Sequence, residues 1–195
     1  MRSASSHDRT SRTSRRAASS RGRRPAEVAP GVFLFTIRGS HIYFVRSGQS
    51  WVLIDAAWSN RGLLIKQTVE RLFGENTRPE AILLTHVHAD HSGSALELAR
   101  SWDLPVHVHP DEMPLTDGTY RPEYADPIAR WMIEPLMRLM PRRAARMVAK
   151  TSLGDAALAL DAQTDLPGLP DWEAIPTPGH TPGHVAFFRP SDRVL

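Results

Sequence analysis

The apolar positions in the first third of the chain form short runs separated by turn residues. Residues 31–37 and 41–45 are rich in β-branched and aromatic side chains, and Arg38-Gly39-Ser40 between them supplies a turn. This arrangement predicts a β-hairpin. Residues 50–55 follow a second polar turn and have a similar composition, so they predict a third strand.

Beyond residue 58 the apolar residues recur at helical spacing. Ser59-Asn60 can cap a helix that runs to Phe73. Residues 81–84 form a short apolar run, which predicts a buried strand. A second helix is expected to begin near Ser92 or Ser94. Its apolar face comprises Ala95, Leu98, Ala99 and Trp102.

Three shorter strands are predicted in the rest of the chain, and one segment departs from this pattern. The strands cover residues 105–110, which are bounded by prolines, and residues 172–176 and 185–188. Residues 111–150 are instead interpreted as a helical insert.

The insert has a recognisable helix start and an apolar stripe. Asp126-Pro127 is a typical start, and Pro135 is expected to kink or split the helix. The stripe comprises Ile128, Trp131, Met132, Leu136, Leu139 and Met140. Four interpretations stay open for residues 126–147: a lid over a cleft, a contact between subunits of a homo-oligomer, attachment to a membrane surface, or cover for the domain's own core.

Basic charge is concentrated at the N-terminus. Residues 1–24 hold eight arginines against one acid, Asp8, and so carry +7, whereas the rest of the chain carries −4 within the total of +3. Residues 1–25 have almost no large apolar side chain, which predicts a disordered tail before one folded domain over residues 26–195. The tail is compatible with binding to anionic surfaces, with an organelle transit peptide, and with a dispensable extension.

The composition also excludes several classes of protein and site. The chain has no cysteine, which excludes disulfides and thiolate metal ligands. No apolar run approaches the roughly 18 to 20 residues that a membrane helix needs. Because the folded part is acidic, we expect a small-molecule substrate rather than nucleic acid. The lack of cysteine is compatible with a cytoplasmic location, which we expect.

The strongest chemical signal follows the apolar run 81–84, in the segment His86-Val87-His88-Ala89-Asp90-His91. Imidazole and carboxylate are the natural ligands of zinc and similar divalent ions. His86 and His88 point to the same side of an extended segment, so both can reach one ion. Asp90 and His91 lie where the chain curls into a helix, and they can serve a neighbouring ion.

A second candidate segment is Pro178-Gly179-His180-Thr181-Pro182-Gly183-His184. Its paired Pro-Gly steps force tight turns on either side of His180, which suits a ligand. Together, the order and spacing of the two segments resemble the signature of the metallo-β-lactamase superfamily, a group of binuclear metal hydrolases and their relatives. The resemblance covers about residues 31–195 and is weakest in the insert.

This resemblance implies an α+β fold, the four-layer αββα sandwich of the superfamily. It also implies that His86, His88 and His180 bind a first metal ion. Asp90 and His91 would bind a second, with Asp90 also acting catalytically by orienting the nucleophile. Zinc is the expected metal for both ions, with iron or manganese as alternatives.

The resemblance further implies hydrolysis of a small molecule. In such a glyoxalase II-like enzyme a metal-bound hydroxide attacks the carbonyl of an ester, thioester, lactone or amide. Two other interpretations stay open. One is a mononuclear iron oxygenase of the same fold, and the other is a catalytically incomplete fragment or binding module.

Two further residues are assigned supporting roles. Asp55 ends the third strand, where a carboxylate either caps a turn or fixes the orientation of a metal-bound imidazole. His184 is the second histidine of its segment, which in the family usually supports rather than ligates. The remaining histidines near these segments are interpreted as structural: His41, His107 and His109.

The last residues of the chain carry one more expectation. The family's pattern next requires a metal-bridging aspartate and one more histidine, and neither occurs before Leu195. The resemblance therefore implies a fold that is incomplete on its C-terminal side, with the second metal site half present.

Overall fold

The computed structural model of the chain describes residues 24–118, 152–161 and 165–195. The predicted tail up to residue 23 and the predicted helix that starts at Asp126 lie outside these residues. Of the helices that the structure describes, none has the length and hydropathy needed to span a bilayer.

The main sheet has seven strands within the described residues, in the spatial order β1 to β7. Their bounds are β1 Ala26–Ala29, β2 Val32–Ile37, β3 Ser40–Ser47, β4 Ser50–Ile54, β5 Ala81–Leu83, β6 Val106–Val108 and β7 Ala157–Ala159. The pairs from β1 to β4 are antiparallel, and the pairs from β4 to β7 are parallel. A second, antiparallel sheet pairs β8 Glu173–Pro176 with β9 Val185–Phe188.

Three α-helices accompany the sheets in the part of the chain that is described. They are α1 Gly62–Phe73, α2 Ala89–Ser92 and α3 Ala95–Trp102. Two 3-10 helices span Pro110–Leu115 and Gly154–Ala156.

The predicted hairpin, the third strand and the strand at 81–84 are confirmed, with small shifts at their ends. The helix predicted from Ser59-Asn60 begins later, at Gly62, because Asn60 has a left-handed φ of +62°. Asparagine tolerates this conformation, which ends the loop instead of capping the helix. The helix predicted to begin near Ser92 or Ser94 is confirmed as α3, with Ser94 at its N-cap position and the predicted apolar face buried, and α2 is an additional turn before it.

Two apolar cores lie on opposite faces of the main sheet, because successive strand residues point to opposite sides. The core under the helices includes Phe44, Leu53, Ile82, Ile65 and Leu98. The core under the β8–β9 sheet includes Val45, Val52, Leu83, Val185 and Phe187. Burial of each large apolar side chain contributes about 1.5–3 kcal/mol. The layers therefore run helix, sheet, sheet, which confirms the predicted α+β class.

The parallel strands β4, β5 and β6 bring three loops to one edge of the sheet. Asp55 follows β4, residues 85–91 follow β5, and residues 109–112 follow β6. The Asp55 N–H donates to the Leu83 carbonyl at 2.9 Å, which extends the pairing of β4 and β5 as far as this edge. The candidate site is built there.

Candidate metal centre

Two loops bring the predicted ligands together. The first runs from Thr85 to Ser92 after β5, and the second, residues 177–184, connects β8 to β9. The Val185 N–H donates to the Thr85 carbonyl at 3.0 Å, which joins the second sheet to the start of the first loop. The second loop is closed by the Thr177 N–H, which donates to the His184 carbonyl at 2.8 Å.

His86, His88 and His180 converge at this junction. One ring nitrogen from each lies within 4.8 Å of the other two, and His88 Nδ1 is 2.9 Å from His180 Nε2. The ring centroid of His86 is 4.8 Å from those of both other histidines. His86 is buried, His88 is half-buried and His180 is exposed, so the cluster opens from the protein interior towards solvent.

Hydrogen bonds assign the proton of His86 to one ring nitrogen. The Asp55 carboxylate accepts the Thr85 N–H at 2.9 Å and the Thr85 hydroxyl at 2.9 Å. Since the hydroxyl proton points to Asp55, Thr85 Oγ1 is free to accept from His86 Nδ1, which is 3.0 Å away. His86 Nε2 therefore keeps its lone pair.

The surroundings of His86 Nε2 show whether a metal ion fits this site. The atom is buried and has no hydrogen-bond partner among the described residues. Buried polar atoms in native proteins normally have a partner. A divalent cation, held by this nitrogen and by the nearby imidazoles of His88 and His180, fits this requirement and the donor set.

Burial keeps these imidazoles in the form that binds metals. Burial, followed by the neighbouring imidazoles, lowers the pKa of His86 to about 2. Burial and then His180 lower the pKa of His88 as well. Because only the neutral imidazole ligates, His86 and His88 do not have to lose a proton before they bind an ion at neutral pH.

Asp55, His91 and Asp90 form a second group beside the three histidines. Asp55 Oδ2 is 2.7 Å from His91 Nδ1, and Asp90 Oδ2 is 3.4 Å from His91 Nε2. Burial alone would lower the pKa of His91, but the hydrogen bonds to Asp55 and Asp90 outweigh it and raise the pKa to about 10. The hydrogen bond to His91 lowers the pKa of Asp90 to about 2. At neutral pH His91 is therefore protonated and Asp90 is ionised.

The backbone of Asp55 is part of this arrangement. Its φ of +61° lies in the left-handed region, which Asp visits more readily than most residues. The side chain is nearly completely buried. This turn directs the carboxylate onto both Thr85 and His91, so Asp55 contacts His91 directly and reaches His86 through Thr85.

The other predicted histidines separate into two classes. His184 lies beside the site, with its ring centroid 5.0 Å from that of His86, and its Nδ1 is 2.6 Å from Thr177 Oγ1. His107 and His109 belong to no cluster of three or more ligand atoms among the described residues. His109 Nδ1 instead accepts the Asp111 N–H at 3.2 Å.

Glu112 also belongs to the site, although the sequence did not single it out. Its side chain is fully buried, and its two oxygens accept the N–H groups of Val87 at 3.0 Å and Gly183 at 2.9 Å. Val87 lies between two of the converging histidines, and Gly183 precedes His184. The available signal was an acidic residue just after the proline-bounded strand, at the sheet edge where the other polar residues meet.

Comparison with known proteins gives a consistent result. The family model described as the metallo-beta-lactamase superfamily matches residues 35–195. The chain is 36% identical to the probable metallo-hydrolase YflN of Bacillus subtilis over 174 aligned residues. The alignment covers 87% of this chain and 63% of that protein. The chain thus spans less than two thirds of the length of this curated relative.

Solved structures share the fold. TTHA1623, solved in a di-iron-bound form, is 28% identical with a TM-score of 0.53, over 86% of this chain and 67% of that one. BJP-1, a subclass B3 metallo-beta-lactamase of Bradyrhizobium japonicum, is 22% identical with a TM-score of 0.60, over 85% of this chain and 56% of that one.

Proposed function

The chain belongs to the metallo-beta-lactamase superfamily, and we propose that it acts as a metal-dependent hydrolase of esters, thioesters, lactones or amides. This proposal rests on the geometry of three histidines. Ring nitrogens of His86, His88 and His180, which come from two loops far apart in the sequence, lie within 4.8 Å of one another. The buried Nε2 of His86 has no partner among the described residues.

In this proposal His86, His88 and His180 hold the first ion, and Asp90 and His91 hold the second. A divalent ion bound there supplies an acidified water as nucleophile and polarises the substrate carbonyl. We propose zinc as the metal, since it suits three imidazoles. Iron is the second candidate, because the relative TTHA1623 was solved in a di-iron-bound form.

The chain's own residues prepare these ligands. Asp55 and Thr85 hold the His86 proton on Nδ1, so that Nε2 faces the site. Asp55 also accepts from His91 Nδ1, which directs His91 Nε2 towards Asp90. Asp90, whose low pKa keeps it ionised, orients the attacking water by accepting its hydrogen bond. His184 supports the second loop through Thr177.

The proposal is tested by measuring hydrolysis with the full chain. A phenyl ester, a thioester, a lactone and an anilide are offered to protein that is metal-free, zinc-loaded or iron-loaded. We expect hydrolysis of at least one class by the loaded protein and none by the metal-free protein. The His86→Ala and His180→Ala variants should be inactive.

His41→Ala is the matched control, because His41 is an exposed histidine on β3 that does not belong to the group of converging ligand nitrogens. It should hydrolyse the same substrate as fast as the unchanged chain. Equal rates with and without metal would contradict the mechanism. Oxygen consumption by the iron-loaded protein, in place of hydrolysis, would instead identify an oxygenase.

A further inference from the structure

Glu112 joins the two loops that carry the histidines. It lies in the 3-10 helix Pro110–Leu115, which begins directly after His109. The Glu112 N–H donates to the His109 carbonyl at 2.9 Å, and this turn directs the side chain into the interior, where it is fully buried.

The two loops run antiparallel beside each other at this point. The Thr85 carbonyl accepts the Val185 N–H at 3.0 Å, which is a direct link. Two residues further along the first loop and two residues back along the second, Val87 and Gly183 both offer N–H groups. Both N–H groups need an acceptor, and among the described residues neither donates to a backbone carbonyl of the facing loop.

The Glu112 carboxylate supplies that acceptor at both ends. Oε2 accepts from Val87 at 3.0 Å and Oε1 accepts from Gly183 at 2.9 Å. A glutamine at this position would accept one N–H but would present its own N–H₂ group to the other. A buried carboxylate is costly unless it is hydrogen-bonded, and here both oxygens are.

Gly183 allows the close approach of this carboxylate. A Cβ atom at position 183 would lie 2.8 Å from Glu112 Cγ, 2.9 Å from the Glu112 nitrogen and 2.9 Å from His109 Nδ1. No side chain fits there without displacing the second loop. The absence of a side chain at Gly183 and the presence of a carboxylate at Glu112 are therefore parts of the same contact.

We propose that Glu112 is a positioning residue that sets the separation of the two ligand loops and thereby holds His180 within reach of His86 and His88. With the Thr85–Val185 link alone, the second loop would be tied to the first loop by a single hydrogen bond. With Glu112 there are two links, and the loop that carries His180 is fixed in orientation. The inference rests on the proposed role of these histidines as metal ligands.

The test compares Glu112→Gln with Asp111→Asn in the full chain. Asp111 is the matched control, since it is the adjacent residue, loses the same charge and has a side chain that is 65% exposed. Zinc affinity is measured by competition with a chromophoric chelator, and the visible spectrum of the cobalt-loaded protein reports the ligand geometry. Circular dichroism of the metal-free proteins checks that they fold.

We expect Glu112→Gln to bind zinc at least about tenfold more weakly, as is typical when a group that orients ligands is lost, and to change the cobalt spectrum. Asp111→Asn should match the unchanged chain in both. Gly183→Ala keeps Glu112 but displaces the loop, and it should weaken zinc binding in the same way. Folded variants at both positions with unchanged affinity and spectrum would overturn the proposal.

Amide exchange in the unchanged chain tests the contact even if the variants do not fold. The Val87 and Gly183 amide protons should exchange slowly with solvent by NMR, and fast exchange of either would also overturn the proposal. If the unchanged chain binds no metal, the proposed function fails, whereas the amide exchange still reports on the Glu112 contact alone. The two failures are therefore distinguishable.

Discussion

The two halves of the candidate site differ in whether their ring nitrogens have hydrogen-bond partners. In the group of His86, His88 and His180, a buried nitrogen is left without a partner among the described residues. In the group of Asp55, His91 and Asp90, both ring nitrogens of His91 face carboxylates. In the proposed function the first half gains its missing partner by binding a cation, and the second half is already paired without one.

This difference predicts the order in which the two halves bind metal ions. The neutral imidazoles of the first half are ready to bind, because burial lowers the pKa of His86 and His88. In the second half a cation must compete with a proton, because carboxylates raise the pKa of His91 to about 10. We therefore expect the first ion to bind more tightly than the second at neutral pH, and four substitutions test this contrast.

The largest effect is expected for His86→Ala. This change removes the buried nitrogen that no other described residue satisfies, and with it the inner ligand of the first ion. Since loss of a group that merely orients a ligand typically costs 10–100-fold in affinity, loss of the ligand should cost more than about 100-fold. Competition with a chelator measures this affinity. A loss of affinity of less than tenfold would contradict the role of His86 as a ligand.

His180→Ala should lower the affinity for the first ion by about 100-fold, the upper end of that range, with no change in the fold. The side chain is exposed, so the free energy of unfolding of the metal-free protein should stay within about 0.5 kcal/mol of its original value. Denaturant unfolding and chelator competition on the same samples separate the two effects. Unchanged affinity would show that the second loop supplies no ligand.

Asp55→Asn should lower the affinity for the first ion by about tenfold, because the contacts that orient His86 through Thr85 are lost. Unpaired donors left near the new amide should also lower the free energy of unfolding of the metal-free protein by about 1–3 kcal/mol. Asp103→Asn is the matched control, because Asp103 is an exposed aspartate with a similar left-handed φ of +54°. Equal results for the two variants would contradict the role of Asp55.

The smallest effect on the first ion is expected for His91→Ala. Because His91 belongs to the other half of the site, affinity for the first ion should change by less than about threefold, which is under 1 kcal/mol. Binding of a second ion should disappear, and calorimetric titration would show it as a lower stoichiometry. A loss as large as that of His86→Ala would mean that the two halves are one site.

The sequence predicted those parts of the molecule whose determinants lie close together along the chain. The strand at Ala81–Leu83 is a continuous apolar run, and the histidine segment follows it directly. Local spacing therefore indicated a metal site on the loop after this strand. The place of His180 came from resemblance to a family, because its contact with His88 spans 92 positions of the sequence.

What could not be predicted depends on contacts between distant segments. Glu112 acts on partners 25 and 71 residues away, and no local pattern marks such a contact. Strand β1, Ala26–Ala29, was also missed, because its residues are mostly exposed and show no apolar alternation. It is defined by antiparallel pairing with β2, which a single segment does not reveal.

X-ray absorption at the zinc edge of the full chain, loaded with one equivalent of zinc, counts the imidazoles that bind the first ion. The account predicts three imidazole nitrogens at about 2.0–2.1 Å from the metal, and one fewer in the His180→Ala variant. A spectrum with fewer than three imidazoles in the unchanged chain, or one that His180→Ala leaves unaltered, would contradict the claim that the two loops bind a common ion.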